Sequence, residues 1–109
     1  MSNRKQLVMD MLKETPGDAF LIYALALEEH KEGDLATATA RLESLRSTQP
    51  EYLGTYYQLG KFYEEATSVE QAIAIYEQGI SLARAQKEAK AERELKEALF
   101  ILQDDDDSF

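Results

Sequence analysis

The chain has 109 residues, 44% of them hydrophobic and 30% charged, which suits one folded domain and falls short of two independent cores. It has no cysteine, which excludes a disulfide framework, a thiolate metal site and a cysteine nucleophile, and is compatible with a reducing cytoplasm. The net charge is −9, about −5 of it outside the run Asp104 to Asp107, so phosphate backbones and anionic lipids are repelled and nucleic acid and membranes are set aside as partners.

In chain order, residues 1–15 read as a capping segment whose helix covers 2–14. Leu7, Val8, Met11 and Leu12 give it an apolar face, and Arg4, Lys5 and Lys13 are expected to solvate the other. The opening MSNRKQLVMDMLKETP lacks the apolar run of a signal peptide, and no stretch approaches the ~20 apolar residues of a membrane span, so the expected location is the cytoplasm. Pro16 ends this helix, and Asp18 is placed to cap the next.

Residues 17–50 then read as helix, turn, helix. Ile22, Leu25, Ala26 and Glu29 share one face of the first helix, and Leu35, Ala38, Leu42 and Leu45 share one face of the second. Between them Gly33 can take a positive φ and end a helix, while Asp34 can cap the one that follows. Pro50 closes the unit. Residues 51–84 repeat the pattern, with Tyr56, Leu59, Gly60 and Tyr63 on one helix and Val69, Ala72, Tyr76 and Gly79 on the other. Here Thr67 stands where the glycine was, and Ser68 with Gln71 is expected to form a compensating capping box.

From Val69 to Leu102 there is no proline, and one continuous helix would be about 50 Å long. Helical phase argues against it. The stripe through Tyr76, Gly79, Ile80 and Ala83 is rotated by roughly a third of a turn from the stripe through Leu95, Ala98, Leu99 and Leu102. A break near Gln86 to Glu88 is therefore predicted, followed by a closing helix within 88–102. Its outer face reads as solvated charge, with ion pairs at Lys90–Glu94, Glu92–Lys96 and Arg93–Glu97. Residues 103–109 read as a disordered acidic tail.

The two helical pairs superimpose at an offset of 34 residues: Pro16 on Pro50, Tyr23 on Tyr57, Leu25 on Leu59, Ala26 on Gly60, Ala38 on Ala72, Glu43 on Glu77. A repeat of that length denotes stacked supersecondary units. The spacing, the small residues, Gly33-Asp34 and the closing proline together resemble the tetratricopeptide repeat family, and in particular its small stand-alone bacterial members. Two positions depart from the family pattern: Glu29 stands at a site usually aromatic, and Arg84 stands where a proline is expected. The resemblance implies an all-α fold of stacked antiparallel hairpins, a short α-solenoid of about six helices. It would comprise two full repeats and two capping helices in one domain over 1–102.

Catalysis is not expected. His30 is the only histidine and has no nucleophile beside it, Glu28-Glu29 and Glu64-Glu65 diverge around their helices, and no phosphate loop or calcium loop is present. No catalytic, metal-binding or cofactor-binding residue is assigned. What remains is surface. The first helix of each repeat carries a second stripe about 130° from its core stripe: Phe20, Tyr23, Leu27 and His30 in one, Gly54, Tyr57, Lys61 and Glu64 in the other. The resemblance implies that this face lines a concave groove holding a protein or peptide. The groove residues are expected to be Tyr23, Leu27, His30, Tyr57, Lys61 and Glu64, whereas Phe20 reads as core before groove. The carboxylate clamp of some family members is not expected, because Tyr23 and Leu27 occupy its first-repeat positions and a third repeat is missing. Two alternatives stand beside groove binding: a homodimer through the stack ends, and an acidic tail that attracts basic partners.

Overall fold

The computed structural model describes residues 3–106. Among these there are six helices and no strand: α1 (Asn3–Glu14), α2 (Ala19–Lys31), α3 (Leu35–Thr48), α4 (Gly54–Glu65), α5 (Val69–Ala85) and α6 (Ala89–Asp106). Contacts divide the chain into two compact units between Thr55 and Tyr56, so α1, α2 and α3 form the first and almost all of α4 joins α5 and α6 in the second. No helix among the described residues is long and apolar enough to cross a membrane.

In the first unit α2 is held on two sides. Toward α1, Leu21, Ala24 and Leu25 bury themselves with Val8, and Leu12 packs against the same cluster. Toward α3, Ala26 and Ala38 are fully buried, and Glu29 accepts two hydrogen bonds from Arg41, at 2.8 and 2.6 Å. The small side chains permit close approach, and the Glu29–Arg41 ion pair bridges the two helices. The capping helix departs from expectation. Leu7 and Met11 are exposed, because Val8 and Leu12 make the contact with α2 and leave them outside it. Arg4 and Lys5 do not simply solvate an outer face: Arg4 reaches buried Glu28 at 3.0 Å and Lys5 reaches Glu32 at 2.8 Å. Cations thus meet the carboxylates at the C-terminal end of α2, where the helix dipole also favours them.

In the second unit two glycines set the spacing. A Cβ on Gly60 of α4 would stand 2.2 Å from the Tyr76 ring of α5, and one on Gly79 would stand 2.7 Å from Tyr56 Cβ and 3.1 Å from Leu95 of α6. Tyr56 and Leu59 are buried, as the periodicity requires. Arg84 and Lys96 both bind Glu92, at 3.0 and 2.9 Å, tying α5 to α6. The other two ion pairs expected on α6, Lys90–Glu94 and Arg93–Glu97, do not form among the described residues.

Three of the turns share one hydrogen-bond pattern. At the end of α2, Gly33 N–H donates to His30 O and Asp34 N–H to Glu29 O; at the end of α4, Thr67 donates to Glu64 and Ser68 to Tyr63; at the end of α5, Lys87 donates to Arg84 and Glu88 to Ala83. This is the Schellman arrangement, which needs one left-handed residue. That residue is Gly33 at φ 87°, Thr67 at 57° and Lys87 at 59°. The predicted break at Gln86 to Glu88 is this third turn. Asp18 caps α2 by accepting from Leu21 N–H, and Asp34 caps α3 by accepting from Thr37 N–H. Ser68 sits at the N-cap of α5 but makes no side-chain capping bond, so the expected capping box is not formed; the backbone turn does the work alone. The last helix runs past Leu102 to Asp106. Gln103 and Asp104 are exposed, so water screens the like charges and backbone hydrogen bonding propagates into the expected tail. Residues 107–109 of that tail lie outside the described residues.

Candidate functional site

With α2 committed to α1 on one side and α3 on another, its third side carries Phe20, Tyr23, Leu27 and His30. Tyr23, Leu27 and His30 are half-buried there. Phe20 is 58% exposed, which corrects its expected place in the core: the α1 contact is made by Leu21 and Ala24, one residue and one turn along, with Leu25. Tyr23 leans on Tyr52, with ring centroids 6.0 Å apart and planes at 59°. Burial pushes both phenols above their ordinary range, with Tyr23 and Asp18 adding to the effect at Tyr52, so both stay protonated at neutral pH. Tyr52 is held in position by the link that follows α3. Gln49 Nε2 donates to Gly17 O at 2.8 Å, and Tyr52 N–H donates to Gln49 O.

On α4 the matching side carries Tyr57, Lys61 and Glu64, which the structure brings together. Tyr57 is 40% exposed. The Lys61 ammonium lies 5.6 Å from the centre of its ring and 3.9 Å from Glu64 Oε2. Tyr76 of α5 completes the group. Its hydroxyl donates to Glu64 Oε2, and its ring lies 6.4 Å from that of Tyr57. Burial, followed by the bond to Glu64, raises the Tyr76 phenol well above its ordinary range, so it is a permanent donor. The result is a fixed aromatic floor bearing one cation and one carboxylate, all partly open except Tyr76.

The second unit brings Tyr57, Lys61 and Glu64 together with Tyr76, and the first sets Tyr23 against Tyr52; Tyr76 and Tyr52 were not among the expected residues. Tyr76 was assigned to the core stripe of its helix. The signal that could have found its second role is the hydroxyl: its counterpart is Leu42, and a buried tyrosine requires a partner. Tyr52 left no such signal, since the residue at the corresponding place is Asp18. Chemically both faces offer aromatic area, hydrogen-bond donors and weak charge. Among the described residues no group of three or more His, Asp or Glu side chains could hold a metal ion.

No protein-family model matches the chain, and no curated protein matches it. Solved structures do. A solution structure of a tetratricopeptide repeat domain protein from Salinibacter ruber is 42% identical and superimposes with a TM-score of 0.78, covering 80% of this chain and 88% of that one. A crystal structure of a tetratricopeptide repeat domain protein from the same organism, also 42% identical, gives 0.76 over 79% of this chain and 97% of its own. A protein from Bordetella parapertussis, 20% identical, shares the fold at a TM-score of 0.82 over 97% of this chain and 92% of that one.

Proposed function

The chain belongs to the tetratricopeptide repeat family, and on that premise we propose that it is a non-catalytic module that binds a segment of another protein. The contacts are assigned to Tyr23, Leu27 and His30 on α2 and to Tyr57, Lys61 and Glu64 on α4, the stripe with which the family's repeats line their groove. One observation carries this reading. The stripe is the side of each helix that intramolecular packing leaves partly open, yet its aromatic rings are held in place by Tyr52 and Tyr76. Pre-positioned tyrosines lose little entropy on binding and make efficient anchors. Lys61 and Glu64 add direction to a polar or charged partner residue.

The test is a double substitution, Tyr23→Ala with Tyr57→Ala, compared with wild type in affinity capture from the native host. Proteins retained by wild type should be lost by the variant while its helical circular dichroism is unchanged. Retention of the same proteins by a correctly folded variant would show that the stripe is not the binding surface.

A further inference from the structure

The outer side of α6 does not match a solvated end. Phe100 and Ile101 are 68% and 61% exposed, while Leu95 and Ala98 on the inner side are 2% and 7% exposed. At 100° per residue, Ala89, Arg93, Lys96, Glu97 and Phe100 fall on one ridge directly opposite that inner side. With Glu92 and Ile101 they form an open, largely apolar surface on this one helix. Arg93 and Glu97 make no ion pair among the described residues, whereas Lys96 is held by Glu92.

We propose that this face docks a second copy of the chain, α6 against α6, antiparallel about a two-fold axis between Lys96 and Glu97. The argument is charge complementarity along the ridge. Its N-terminal half is net basic, Arg93 and Lys96 outweighing the flanking Glu92 that pairs with Lys96; its C-terminal half is apolar and acidic, through Glu97, Phe100 and Asp104. Antiparallel alignment sets each half on its opposite, and a two-fold axis makes every such contact occur twice. In this register Lys96 faces the second copy's Glu97, and Phe100 faces the second copy's Arg93, whose guanidinium can lie on the ring. A parallel pair would set basic half on basic half. Opposed helix dipoles favour the same antiparallel choice. A pair of helices about 27 Å long buries less than the ~1,200–2,000 Å² of a durable interface, so the dimer is weak and depends on concentration.

The measurement is sedimentation equilibrium from micromolar to millimolar protein. Wild type should rise from the 12.4 kDa of one chain toward twice that mass. The Phe100→Glu, Ile101→Glu double variant should keep the single-chain mass throughout. Lys96→Glu alone and Glu97→Lys alone should each stay monomeric, because like charges then meet, and an equimolar mixture of the two should recover the dimer. The Tyr23→Ala, Tyr57→Ala variant should dimerise as wild type does, which separates this surface from the stripe on α2 and α4. A wild type of constant single-chain mass overturns the proposal and leaves the face to some other protein. So does a dimer that survives the Phe100 and Ile101 changes, and so does a mixture of the charge variants that stays monomeric.

Discussion

At Gly60 an added methyl would meet the Tyr76 ring at 2.2 Å, and that ring is buried on all sides and tied to Glu64 through its hydroxyl. Gly60→Ala should therefore lower stability by about 1–3 kcal/mol in urea unfolding, despite alanine's better helix propensity. Gly17→Ala is the control, since nothing lies within 4 Å of a Cβ there. The left-handed turn residues predict the opposite sign. Thr67 at φ 57° is a β-branched residue in a region that suits glycine, and Gly33 fills the corresponding place one repeat earlier. Thr67→Gly should gain about 1 kcal/mol, the relieved strain outweighing glycine's added freedom in the unfolded chain. A loss on this substitution would mean that the threonine hydroxyl, which donates to Ala66 O, matters more than the backbone. Both roles were legible in the sequence, because each residue has a counterpart to compare: Gly60 with Ala26, Thr67 with Gly33. The second role of Tyr76 was not, because hydrogen bonding to Glu64 depends on where another helix places its side chain.

Between elements, the ion pair of α2 and α3 is the most informative. Glu29 is 6% exposed and accepts both of its hydrogen bonds from Arg41. The hydrogen bonds to Glu29 raise the Arg41 pKa above its ordinary value, so the guanidinium stays charged. Arg41→Ile alone should cost roughly 2–3 kcal/mol by leaving a carboxylate buried and unpaired. The second repeat carries Tyr63 and Ile75 at these two places. Glu29→Tyr with Arg41→Ile should therefore fall within about 1 kcal/mol of wild type, since apolar replacement of a whole buried pair is often neutral. Thermal melts of the single and double variants decide this. The junction of α5 and α6 predicts a pH effect. Hydrogen bonds from Lys96 and then Arg84 hold the Glu92 carboxyl below its ordinary 4.5. A depressed folded pKa contributes stability above the unfolded value and loses it as pH falls through the folded one. The advantage of wild type over Glu92→Gln should accordingly be present at neutral pH and vanish in acid. The α5–α6 break was legible from stripe phase alone. The missing bond at Ser68 was not, because a backbone turn of the same kind forms whether or not the side chain helps.

For the molecule as a whole, the fold was legible in the 34-residue offset, because each matched pair of residues repeats a local environment. Exposure on the outer helices α1 and α6 was not legible in the same way. Leu7 and Met11 were expected on the apolar face of α1 and Phe100 and Ile101 were assigned no role, and all four face water. The stripe on α2 and α4 lies between these cases, since its open character follows from which other sides are covered. The most direct test of that stripe is amide hydrogen exchange with and without a captured partner segment. Protection should rise along α2 and α4, and it should disappear in the Tyr23→Ala, Tyr57→Ala variant. Protection confined to other helices, or unchanged by that variant, would contradict the assignment.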